Sequence, residues 1–420
     1  MSTVLDPIRF GPERELIGSL FERFGLEVLI AHFVESGGVR SMYDAVLASE
    51  LRLTRMIAPR LVGLLDTARD KLAFDEPLEM FVGQNPQVNA AAMHRMSEDE
   101  PHVLSLTSAL VERMTDEELS FVLGHELGHL AYRHYRARLA DAAFGRTPSG
   151  DSKAPPLLLR RLESWDRMAE ISADRAGLWA VDGNLEVAVS AFFKLQSGLG
   201  PEHLRFDIAA ILDQLESLQK ANRRELFAEF SHPATPIRVR ALQLFGDARA
   251  GARKLDEVDA EVAEIARLMD YAPSEPLDVN AREFILAGGL LAAYTDGDIE
   301  MDDAGWNTLV QLLLPVSADP EAEVARIKNR SEAEDILQKS AGWLRENAGE
   351  ERFDLLRGIA HVTAADGHLS PAERAFLKRC AELLGIPPRT ADEIAFETLA
   401  DHLQTQAGRG MRPPRFALDE

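Results

Sequence analysis

The chain has 420 residues, 46% of them hydrophobic, an apolar share that supports real cores in two or three domains. Its 69 acidic against 46 basic residues give a net charge of −23, and no basic stripe interrupts that excess, so no nucleic acid is expected as a partner. The single cysteine, Cys380, excludes an internal disulfide and a cysteine-based metal site; its apolar helical surroundings predict a buried structural thiol.

Met1–Glu15 lacks a basic segment followed by an apolar run, so no secretory signal is expected. No stretch reaches the roughly eighteen apolar residues of a transmembrane anchor, and the expected location is cytoplasmic. Glu13–Val34 and Ser41–Ala73 read as helical, the second from the spacing of Leu53, Ile57, Leu61, Leu64, Leu65 and Leu72. The period then changes. Leu78–Val82, Val88–Met93 and His102–Thr107, separated by the turn signals Asn85-Pro86 and Ser97–Pro101, predict a small sheet. Thr115 and Glu118 have the spacing of a capping box and open a helix carrying Phe121–Arg138.

Residues 145–156 have loop composition. Helices are expected over Leu157–Ala180, Arg205–Phe230 and Ile237–Ala250, with His232-Pro233 breaking the chain between the last two. The expected domains are 1–250 (1–74 a helical part), a linker or helix over 251–278, a helical domain over 279–388 and a C-terminal tail over 389–420, loose over Gly408–Glu420. An internal repeat marks the third. Thr295–Asp303 and Ala365–Glu373 each place an Asp-Gly turn between apolar helical segments, with an acidic residue at the start of the following helix.

The chemistry centres on His125-Glu126-Leu127-Gly128-His129. Helix positions four apart share a face, so His125 and His129 can bind one metal ion. Glu126 beside them can take a proton from a water on that ion. A third histidine of the metzincin kind is excluded, since Tyr132 and Tyr135 stand where that class needs Gly and His. His134 is expected to face away from the pair, at the surface. Glu170 and Asp174 are better candidates. On spacing alone a solvated Glu/Asp pair on a helix is the favoured reading. Downstream of His-Glu-x-x-His, Glu170 reads as a ligand and Asp174 as acceptor of a ligating imidazole's outer N–H. Ser172, Ala173, Ala176 and Gly177 would let their helix approach the motif helix closely.

His125–His129, followed by Glu-Ile-Ser-Ala-Asp-Arg-Ala-Gly at Glu170–Gly177, resembles the M48 zinc endopeptidases of the Ste24/HtpX type. Asn89-Ala90, Thr115–Leu119, and His232-Pro233 with Arg238 or Arg240 match further landmarks in order. The resemblance implies an α+β, mostly helical gluzincin-type domain with a small β-sheet beside the motif helix. It implies one Zn2+ per chain, held by His125, His129 and Glu170, with Glu126 as general base. His232 is then an oxyanion donor, and the backbone at Asn89 and Ala90 a strand-like docking edge for a protein or peptide substrate. Many such enzymes carry transmembrane helices; here the intervening stretch is the polar loop. The C-terminal repeat resembles all-helical TerB-like domains. That implies a regulatory or docking role and a second site for Ca2+ or another divalent ion at Asp296, Asp298, Asp303, Asp366 and Glu373. The local alternative is that Asp-Gly makes a turn and the acidic residue caps the next helix. A metal-binding chaperone or stress sensor with little turnover is the competing reading of the whole.

Overall fold

The computed structural model describes residues 4–38, 43–146, 154, 156–200, 202–205, 207–221, 232–266, 268, 276–293, 304–313, 317 and 319–410. It is mostly helical with one small sheet. It divides into two compact units, Met1–Asp270 and Tyr271–Glu420. No helix of the described residues is long and apolar enough to cross a membrane.

The first unit opens with α1 (Gly11–Phe24) and α2 (Leu26–Glu35), which part at Gly25, a residue with φ of 59°. Next come α3 (Tyr43–Ser49), β1 (Leu51–Leu53), α4 (Pro59–Leu72), β2 (Leu78–Gly83), β3 (Ala90–Met93), β4 (His102–Thr107) and α5 (Ser108–Arg113). The continuous helix expected over Ser41–Ala73 is therefore broken. Leu51 and Leu53 pair antiparallel with Val82 and Met80 of β2, and Met56 and Ile57 are exposed. The apparent helical spacing of Leu53 and Ile57 loses to the free edge that β2 offers.

The sheet order is β1-β2-β4-β3, with β2 and β4 parallel and the outer pairs antiparallel. Strand alternation sends Met80, Leu104 and Leu106 into the main core, while Phe81 and Val103 pack with Val46 on the other face. β3 is an edge strand.

The main core surrounds α6 (Asp116–Ala131). Ten of its sixteen residues are buried, as in a helix apolar on nearly every side. Its start is fixed by the predicted capping box: Thr115 accepts from Glu118 N–H, and the Glu118 carboxylate accepts from Thr115 N–H at 2.7 Å. That buried carboxylate also meets Lys194 Nζ at 2.6 Å and the Ser190 hydroxyl. Lys194 and Ser190 belong to α9 (Leu185–Ser197), so the motif helix is anchored at its first turn.

After α7 (Tyr135–Ala143), α8 (Pro156–Ala180) runs against α6. The contact is close because both sides lack bulk. A Cβ on Gly124 would lie 2.6 Å from Ala180 Cβ, one on Gly128 2.9 Å from Ala176 Cβ, and one on Gly177 2.8 Å from the Phe121 carbonyl oxygen. Of the 145–156 loop, 147–153 and 155 lie outside the described residues.

The unit closes with α10 (Ile208–Ala221), α11 (Thr235–Arg249) and α12 (Leu255–Ala266). Residues 222–230 of the expected Arg205–Phe230 helix lie outside the described residues. The expected linker 251–278 contains α12, whose Val258 and Val262 are buried with Phe10, Ile171 and Leu244. The buried Arg175 of α8 pairs with Asp259 at 2.6 Å, and Asp259 also accepts the Gly11 N–H at 2.9 Å. One ion pair thus ties α12 and the start of α1 to the back of α8.

The second unit comprises α13 (Pro276–Ala293), α14 (Ala304–Leu313), α15 (Pro320–Arg326), α16 (Arg330–Asn347), α17 (Glu351–Thr363), α18 (Pro371–Leu383) and α19 (Pro388–Gly410). Its core is built on Phe284, Leu286, Leu290 and Leu291 of α13, with Leu337, Leu344, Leu356 and Ile359. Cys380 is fully buried there, and burial pushes its thiol up to about 12. Over 389–410 the expected tail is instead part of α19, with Ala391, Ile394 and Ala395 in the core; residues 411–420 lie outside the described residues.

The acidic turn of the second repeat copy is engaged locally. Ser370 and Glu373 form a capping box at the start of α18, and Asp366 Oδ1 accepts the His368 N–H at 2.8 Å. These are the turn and cap of the local alternative. Asp296, Asp298 and Asp303 lie outside the described residues.

The α6–α8 contact leaves no room for a methyl group. Gly124→Ala should cost about 1–3 kcal/mol through overpacking, read as a lower urea midpoint with an unchanged slope. Gly246→Ala on α11, which meets nothing within 4 Å, should not be destabilised.

Candidate metal centre

α6 and α8 bring three polar side chains to one point. His125 and His129, one turn apart on α6, aim their Nε2 atoms together, 3.0 Å from each other. Glu170 on α8 meets them with Oε2 at 3.6 Å from His125 Nε2 and Oε1 at 3.4 Å from His129 Nε2. Their candidate ligand atoms all lie within 4.8 Å of one another, the one such grouping found among the described residues.

Two observations test whether a metal ion suits this place. Two imidazole nitrogens so close and convergent need a shared proton or a shared cation between them. Glu170 Oε2 is buried with no hydrogen-bond partner among the described residues, which is costly for a carboxylate oxygen. Two nitrogens and one carboxylate oxygen form a donor set that zinc accepts, with further positions left open. The residues fit.

The surroundings orient the three. Asp174, one turn after Glu170 on α8, accepts from His125 Nδ1 at 2.9 Å. Asp174 in turn is gripped by Arg238 of α11, through Nε at 2.8 Å and Nη2 at 2.5 Å. The same guanidinium lies 3.4 Å from Glu170 Oε2, and its face rests on the Phe192 ring of α9. Of the two arginines the resemblance left open, Arg238 reaches the site. Arg240 pairs with Glu261 of α12. Arg238 shares a helix face with the core residues Leu242 and Phe245, a spacing that could have separated the two.

Charge and burial compete here. Burial works against the charged form of Glu170, but His129, Arg238 and His125 outweigh it and hold the carboxyl well below its usual range. Burial likewise opposes charge on Asp174, and Arg238 and His125 win. For His129 burial favours the neutral ring, yet Glu170, Glu126 and Asp174 lift it above its usual range.

His134 is where the sequence reading fails. It is buried, and its Nδ1 lies 2.7 Å from His129 Nδ1. Had the helix continued to Arg138, His134 would have faced away. Instead α6 ends at Ala131, and Arg133 takes a left-handed φ of 59°. That turn swings His134 back beneath the motif, against Trp165. No Gly, Asn or Pro in the segment signals the turn.

The centre opens into a cleft of about 550 Å³. Glu126, β3 and the preceding Asn89, and His232 line its walls. His232 is largely exposed, with Nε2 3.6 Å from Glu170 Oε1. Asn89 exchanges hydrogen bonds with Thr107, which keeps β3 on β4. Asp166, a cleft residue one turn before Glu170 on α8, was not singled out in the sequence. Burial pushes its carboxyl up to about 6, and Arg138 only partly offsets this.

Asp166 makes a pH prediction possible. Its folded value of about 6 exceeds the usual aspartate value of about 4. No penalty falls below the lower value; stability is then lost as pH rises through about 6. In metal-free protein, Asp166→Asn should therefore raise the urea midpoint at pH 7.5 and leave it unchanged near pH 4.

Comparison with known proteins agrees with the geometry. Residues 60–149 match the model of peptidase family M48, and residues 282–395 match that of tellurite resistance protein TerB. The first match includes His125–His129 and stops before Glu170. A curated relative, plastoglobule-localized metallopeptidase 48, chloroplastic, of Arabidopsis thaliana, is 31% identical over 194 residues, covering 43% of this chain. The chain spans about half of that relative's length, 55%. No solved structure matches. The resemblances to M48 metallopeptidases around the His-Glu-x-x-His helix and to TerB domains in the C-terminal unit are both shown.

Proposed function

We propose that this chain is a zinc-dependent endopeptidase. One observation carries the reading: His125, His129 and Glu170 converge beside Glu126 in an open cleft bordered by an edge strand. Zinc would be held by His125 Nε2, His129 Nε2 and the Glu170 carboxylate. When bound it supplies Lewis acidity, making water more acidic and polarising a carbonyl.

The chain's own residues do the rest. Glu126 takes the proton of the attacking water and delivers it to the amine nitrogen as the carbon–nitrogen bond breaks. His232, with an Nε2–H, donates to the oxyanion that forms on the carbonyl oxygen. Asp174 and Arg238 hold His125 and Glu170 in place, so little reorganisation is needed during the reaction. β3 can accept a substrate segment as an added strand, which recognises backbone rather than chain ends and suits cleavage within a peptide. The family matches and the metallopeptidase relative support the same reading. The TerB-like unit is read as a regulatory or docking element.

Two substitutions separate the roles. Glu126→Gln should keep about one zinc per chain while cleavage of an unbiased peptide pool falls by at least about 100-fold; full activity in that metal-replete variant would defeat the mechanism. Glu170→Ala should lose most of the zinc after dialysis, measured by elemental analysis. Retention of one zinc per chain would exclude Glu170 as a ligand.

A further inference from the structure

The two histidines of the centre are supported differently. His125 has a carboxylate, Asp174, at its outer nitrogen. His129 has the imidazole of His134, Nδ1 to Nδ1 at 2.7 Å. Only one hydrogen can lie between two ring nitrogens at that distance, and the ring that carries it has chosen its tautomer. If His134 were the donor, a neutral His129 would carry its own hydrogen on Nε2. That nitrogen, aimed at Glu170 and His125, could not then bind a cation.

The surroundings of His134 decide what the ring can do. It sits edge-on to Trp165 at 5.3 Å between centroids, and His134 Nε2 has no hydrogen-bond partner among the described residues. Glu13 Oε1 stands 3.9 Å from that nitrogen. Both Glu13 oxygens are already taken, by Arg9, the Trp165 indole N–H and the Ser172 hydroxyl. Among the described residues nothing within hydrogen-bond distance donates to His134 Nε2, whereas a carboxylate lies on its side. An Nε2–H facing Glu13 is therefore the better-placed form, and it leaves Nδ1 as a pure acceptor.

We propose that His134 is a positioning residue: by accepting the Nδ1–H of His129 it fixes the tautomer that leaves His129 Nε2 free for the metal. The inference rests on the proposed zinc site and adds to it a residue outside the ligand set. It also explains why a buried histidine stands where the chain turns out of α6 with a left-handed arginine.

The experiment uses the full chain and zinc itself, titrated in competition with a chromophoric chelator. His134→Leu and His134→Asn are nearly identical in shape, but only asparagine keeps an acceptor near the Nδ1 position. Leucine should weaken zinc binding by about 10–100-fold, the usual effect of losing a partner behind a ligand, and asparagine should restore most of it. Unfolding of the metal-free variants is followed in parallel, so that a packing defect common to both is subtracted. In 15N-labelled wild type, His134 should show the Nε2–H tautomer. Equal zinc affinity for the two variants, or an Nδ1–H tautomer on His134, overturns the proposal while leaving the zinc site standing. A wild-type chain that binds no zinc removes the proposed function and this inference together.

Discussion

The close approach of α6 and α8 is the constraint on which the centre depends. Two of the candidate ligands sit on one helix and the third on the other, so their separation is set by the distance between helix axes. Gly124 and Gly128 on α6 and Gly177 on α8 remove the side chains that would hold the helices apart. The backbone of α8 around Ala173 and Ala176 fills the space, and Glu170 is delivered to the histidines as a consequence. Small residues cost helix propensity, and here that cost is offset by tertiary packing around a helix buried on nearly every side.

The second requirement is electrostatic. Two carboxylates, Glu170 and Asp174, are buried one turn apart on the same helix, where like charges destabilise each other. Arg238 lies against both and is itself shielded by Phe192. A bidentate guanidinium suits this better than a lysine would, because its planar fork matches a carboxylate and its face stacks on the aromatic ring. The arrangement leaves one Glu170 oxygen, Oε2, without a hydrogen bond among the described residues and turns His125 Nε2 toward it, while His129 Nε2 faces the other oxygen. A site assembled in this way is organised before any cation arrives.

The C-terminal unit shows the same sequence signals serving ordinary structure. Its lone cysteine is packed as a small apolar side chain with a raised pKa, not as a nucleophile. The Asp-Gly turn and acidic residue at Asp366 and Glu373 make a turn and a helix cap. A carboxylate that satisfies backbone N–H groups at a helix start already has a structural use, so its presence near a turn does not by itself indicate a cation.

Periodicity and local chemistry in the chain determined much of this protein. Spacing alone put His125 and His129 on one face; Thr115 and Glu118 announced the helix start; alternating apolar residues announced the sheet; small residues near Glu170 announced a close helix contact. These signals are legible because they depend on neighbours a few positions away. What only the tertiary structure decided depends on partners distant in the chain. Leu51–Leu53 became a strand because β2 offered an edge, residues 389–410 became a helix that packs through Ala391, Ile394 and Ala395 because the second core had room for them, and Arg238 rather than Arg240 turned toward the carboxylates. His134 is the clearest case. One backbone reversal at Arg133, which no residue type in the segment announces, converts an expected surface histidine into the neighbour of His129.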